Sequence, residues 1–81
     1  MDTLLTNIIN SPVTVTSIGF DRRMQAFPKR MEWNGATYYF VDSGLRVRRG
    51  EHGGCTLTMS DGRQSFCLRE QGGDWTLVSV S

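Results

Sequence analysis

Apolar and polar residues alternate with a period of two through most of this chain, and short glycine-containing reversals break the alternation. That pattern predicts half-buried β-strands joined by hairpins. The clearest reversal is Trp33-Asn34-Gly35-Ala36. Asn-Gly accepts positive φ at both central positions of a type I′ turn, whose twist suits the flanking strands. A two-residue loop sets Trp33 opposite Ala36, Met31 opposite Tyr38, Lys29 opposite Phe40 and Phe27 opposite Asp42. One face then carries Phe27, Met31, Trp33, Tyr38 and Phe40, the expected core. The other carries Arg30, Glu32, Thr37, Tyr39 and Val41. Pro28 falls near the start of its strand, where a missing N–H is tolerated.

Ser60-Asp61-Gly62-Arg63 marks a second hairpin. A two-residue Asp-Gly loop pairs Leu57 with Phe66 and Cys55 with Leu68, with Met59 opposite Gln64. Thr56, Thr58, Ser65 and Cys67 occupy the reverse face. A three-residue loop would set Cys55 across from Cys67 but separate Leu57 from Phe66. Because a one-residue slip moves a whole apolar set to the wrong face, the first register is expected. Two free cysteines on opposite faces follow, as suits a reducing compartment.

The third reversal, within Gln71-Gly72-Gly73-Asp74, leads into a last strand, Trp75 to Val80. A Gly-Gly loop sets Leu68 opposite Leu77 and Cys67 opposite Val78. Val13 to Phe20 alternates with a change of parity between Val15 and Ile18, which a β-bulge near Thr16-Ser17 would produce. Leu45 to Arg49 alternates with arginines on one face, and residues 50–54 form a connection. Leu4, Leu5, Ile8 and Ile9 recur at helical spacing, with Asp2 or Thr3 as cap and Pro12 as terminator. A short helix is favoured there over an early strand.

The reading is one all-β domain over residues 1–81. Residues 1–12 form an arm or short helix, and 13–81 an antiparallel meander of five to seven strands. So short a chain buries only about 60% of its unfolded surface. Closure into a small SH3-like or OB-like barrel is therefore the economical architecture.

Net charge is only +1, yet residues 21–49 hold seven basic against three acidic side chains, and the remainder two against five. The charge is polarised along the chain. No stretch approaches the roughly 18 apolar residues of a membrane span. Met1 to Leu5 lacks the features of a secretory leader, so the cytoplasm is expected.

Candidate chemistry is sparse. His52, Cys55 and Cys67 are too few for a tetrahedral zinc site, and no metal or other cofactor is expected. Cys with His52 is the only nucleophilic pair, with no Gly-x-Ser-x-Gly elbow or phosphate-binding loop beside it. The chain is read as a binding module, not an enzyme. One reading is single-stranded nucleic-acid binding through Arg30, Tyr39, Arg46, Arg48 and Arg49, with bases stacking beside cationic side chains. The other is protein interaction or self-assembly, including a homodimer, through an outward apolar strip of Val41, Val78 and Val80 with Cys67. Trp33 and Trp75 are expected in the core.

The pattern Pro28-x-x-Met31-x-Trp33-x-Gly35-x-x-Tyr38-x-Phe40, with a late Trp75-Thr76-Leu77, resembles a group of small bacterial β-domain proteins. Some of these resemble accessory proteins encoded near DNA-repair polymerases. The resemblance implies a β fold and a DNA-related role, and assigns no catalytic residue. Those proteins carry tryptophans where this chain has residues 42–54.

Overall fold

A computed structural model describes residues 7–48 and 54–81. Seven strands make one antiparallel sheet: β1 (Asn7–Phe20), β2 (Ala26–Trp33), β3 (Ala36–Tyr39), β4 (Leu45–Arg48), β5 (Cys55–Ser60), β6 (Ser65–Gln71) and β7 (Asp74–Val80). Their order across the sheet is β3-β2-β1-β7-β6-β5-β4, which curls into a half-barrel. No helix among the described residues is long and apolar enough to cross a membrane.

The expected helix is replaced, from Asn7 onward, by strand; residues 1–6 lie outside the described set. Residues Asn7 to Val13 pair with β7, whereas Thr14 to Phe20 pair with β2. β1 is thus a corner strand shared by two ladders. Pro12 has β7 on one side and lies beyond the β2 pairing on the other, so its missing N–H costs no ladder bond there. Asn10 (φ 52°) lies in an unpaired stretch between Ile8 and Ser11, a bulge absent from the sequence reading. The bulge expected near Thr16-Ser17 is present, with register shifts between Val15 and Ile18.

The Asn34-Gly35 hairpin has the expected register, Met31 with Tyr38 and Arg30 with Tyr39, and both turn residues have positive φ. The second hairpin differs. Ser60 pairs with Ser65, Met59 with Phe66, Leu57 with Leu68 and Cys55 with Glu70. The loop is four residues long, and its partners shift by two from those expected. The faces survive because two is the side-chain period. The Asp61 carboxylate holds this longer loop, accepting from the Arg63 and Gln64 amides at 2.9 and 2.8 Å. Both cysteines are free, Cys55 buried and Cys67 half-buried on the other face.

In β7, Leu68 does pair with Leu77, but Cys67 pairs with Ser79 and not Val78. Val78 is the extra residue of a bulge. It shifts the parity, so Val80 pairs with Phe66 and enters the core, against the expectation that it faces outward.

Met31, Cys55, Leu57, Met59, Phe66, Leu68, Leu77 and Val80 form the buried core. Phe27, Trp33, Tyr38, Phe40 and Trp75 pack against it, half-buried. Tyr38 and Phe40 cross the interior onto the Phe66 ring, with centroids 5.1 and 5.5 Å apart. These rings and the Val41 amide, which donates to the Ser60 carbonyl at 2.9 Å, draw the two ends of the sheet together. Among the described residues no ladder joins those ends.

Candidate functional site

The two ends of the sheet meet imperfectly, and a cleft of about 460 Å³ opens at one end of the half-barrel. Arg46 and Arg48 of β4 supply one wall, and Ile18, Gln25 and Ala26 at the β1–β2 turn supply the other. Cys55, Glu70 and Trp75 line it from β5, β6 and β7. Register explains the convergence. Arg48 pairs with Cys55, Cys55 with Glu70, and Glu70 with Trp75, and directly paired residues of an antiparallel ladder share a face.

Arg46 pairs with Leu57, so its side chain rises from the inner face. Its Nη1 donates to Cys55 Sγ at 2.9 Å, and its Nη2 donates to the Ala26 carbonyl oxygen. The arginine therefore spans the gap between β4 and the start of β2, where a barrel would have a ladder. Glu70 turns one oxygen to the Gly73 amide at 2.9 Å and so braces the β6–β7 turn.

β4 has one strand neighbour among the described residues, β5. Its other backbone edge borders the gap. Leu45 and Val47, 67% and 57% exposed, point away from the cleft. Val41, just before β4, is also exposed.

The candidate nucleic-acid residues divide between two surfaces. Arg30 and Tyr39 are a cross-strand pair on the outer face of β2–β3, with Tyr39 well exposed. Arg30 is engaged at the β1 bulge, where its Nε donates to Thr16 Oγ1 at 2.8 Å and its Nη2 to the Thr16 carbonyl at 3.3 Å. Arg46 and Arg48 lie on the inner rim. Arg49 and His52 fall outside the described residues. The expected apolar strip is also divided: Val41 is exposed, Val78 sits half-buried in its bulge, and Val80 is in the core.

Trp75, Glu70 and Gln25 are cleft residues that sequence reading missed. The Gly72-Gly73 hairpin does put Trp75 opposite Glu70, so that pair was readable from the turn. Its meeting with Arg46 was not, because no tight hairpin fixes β4 against its neighbours. Comparison of the chain with protein-family models, with curated proteins and with solved structures finds no match.

Proposed function

We propose that this chain is a protein-interaction module that takes up an extended segment of a partner by strand addition at β4. The observation carrying this reading is that β4 has, among the described residues, a single strand neighbour, and is set beside a cleft with Leu45 and Val47 exposed. A strand seated in the gap between β4 and the start of β2 would turn the open sheet into a closed SH3-like or OB-like barrel. The peptide backbone supplies the affinity and alternate side-chain sites the selectivity, as in other strand-addition systems.

Magnitudes favour a modest affinity. An antiparallel edge of four residues directs about half its backbone groups outward, some four hydrogen bonds. Each is worth about 0.5–1.5 kcal/mol net. Association costs consume much of that. Side chains beside β4 must supply the rest.

The nucleic-acid reading requires its arginines and tyrosine to share a surface. Arg30 and Tyr39 occupy one face and Arg46 and Arg48 the other, which favours the strand-addition reading. The test is amide and indole chemical-shift mapping on the ¹⁵N-labelled chain. It is titrated with extended heptapeptides in which valine alternates with Glu, Gln or Lys, and separately with a thymidine oligonucleotide. Shifts along Leu45–Arg48 and at Ala26 and Trp75 with at least one peptide are expected. Silence with all three, or shifts at Arg30 and Tyr39 with the oligonucleotide alone, would overturn the reading.

A further inference from the structure

Strand addition at β4 leaves the chemistry of the incoming segment open, and the side chains of β4 restrict it. The strand reads Leu45-Arg46-Val47-Arg48. Leu45 and Val47 face outward, and Arg46 and Arg48 line the cleft. In any antiparallel addition, directly opposed residues lie on one face. One set of the incoming side chains therefore stands beside two apolar residues, and the alternate set beside two guanidinium groups.

A second copy of β4 is a poor occupant. Faces match only when positions of equal parity are opposed, so Arg46 meets either Arg46 or Arg48 of the other copy. Like charges directly opposed are unfavourable. Such edge charges are a recognised defence against edge-to-edge association. The arrangement that repels β4 itself attracts the opposite charge.

We propose that β4 receives a partner-protein strand in which carboxylates alternate with apolar residues, the carboxylates entering the cleft and the apolar residues covering Leu45 and Val47. This rests on the strand-addition reading above. Among the described residues, Arg46 donates to the Cys55 sulfur and the Ala26 carbonyl. A carboxylate is the stronger acceptor and can take a guanidinium in a bidentate pair. Among the described residues, Glu70 is the one carboxylate lining the cleft, and one of its oxygens is occupied by the Gly73 amide. Among the same residues two cations, Arg46 and Arg48, outnumber it. Trp75 and Ile18, which also line the cleft, give the stems of glutamate side chains apolar surface to lie on.

The test is fluorescence anisotropy with fluorescein-labelled heptapeptides alternating valine with Glu, Gln or Lys. Two cross-strand charge pairs predict binding of the Glu peptide about two- to thirty-fold tighter than the Gln peptide, with the Lys peptide weakest. That advantage should shrink as salt rises from 0.05 to about 1 M, where screening acts within about 3 Å. Arg48→Gln, a change at an exposed position, should reduce the preference for the Glu peptide over the Gln peptide. N-methylation at alternate residues along one edge of the Glu peptide should abolish binding, while the same change along the other edge should spare it. Equal binding of Glu and Gln peptides overturns the acidic partner and leaves strand addition standing. Failure of all three peptides overturns both. Glu-peptide binding indifferent to N-methylation on either edge, or tighter binding of a thymidine oligonucleotide, also overturns the proposal.

Discussion

A Cβ added at Gly54 would lie 2.4 Å from the Glu70 carbonyl oxygen, and one at Gly44 would lie 2.5 Å from that of Thr58. Both glycines also have positive φ, 74° and 68°. Gly35 and Gly72 share that conformation, at 76° and 60°, but nothing lies within 4 Å of an added Cβ. Alanine at Gly35 or Gly72 should therefore cost only the backbone term, about 1–2 kcal/mol. Alanine at Gly54 or Gly44 should cost clearly more, because backbone must also move. Urea unfolding of the four variants checks this, and equal losses would contradict the close approaches. Asp61 offers a titration at the same scale. The Gln64 amide foremost, with those of Arg63 and Asp61, holds its carboxyl below the ordinary carboxylate range. A folded pKa below the unfolded one contributes stability above the unfolded value and loses it as pH falls through the folded value. NMR should find the Asp61 midpoint below the usual range, and Asp61→Asn should remove that contribution. The group is exposed, so the effect on stability is small.

At the scale of elements, the β1–β2 pair depends on one small residue. Gly19 pairs with Phe27, whose ring reaches within 2.7 Å of where a Gly19 Cβ would be. An aromatic ring laid over a cross-strand glycine covers backbone that the glycine leaves bare. Gly19→Ala should destabilise, Phe27→Ala should destabilise, and the double change should cost less than their sum. A double-mutant cycle by urea unfolding should show a coupling of about 0.5–3 kcal/mol; strict additivity would count against the contact. The hairpins also show what sequence conveys. Asn34-Gly35 has one favoured turn type, so register and both faces of β2–β3 followed from it. Asp61-Gly62 resembles an equally short turn, but the Asp61 side chain caps a four-residue loop. Face was legible there and partner was not. Bulges at Asn10 and Val78 carry no residue signature a period-two reading recognises, which is why strict alternation puts Val80 on the wrong side. β4 has an alternating pattern but no adjoining tight turn, so the pattern could not say whether leucine and valine or the arginines faced in.

For the whole molecule, a compact set of apolar side chains has to stabilise seven strands. Leu57 and Leu68 oppose one another at the centre, both fully buried. Leu57→Ala should cost about 2–5 kcal/mol, a large share of the roughly 5–15 kcal/mol that holds a domain together. Thermal and urea unfolding should show a large loss or an unfolded chain, and a change under 1 kcal/mol would displace Leu57 from the core. The same economy bears on function. A sheet that curls without sealing leaves β4 with one strand neighbour among the described residues, and the proposed strand addition depends on its other edge accepting backbone from elsewhere. Amide hydrogen exchange along Leu45–Arg48, followed by NMR in the free chain and with the Val-Glu heptapeptide, addresses it most directly. Amides should alternate between slow exchange, where they face β5, and fast exchange, where they face the gap, with the fast set becoming slow when peptide is added. Slow exchange at all four positions in the free chain, or fast exchange that peptide leaves unchanged, would contradict an open, strand-accepting edge.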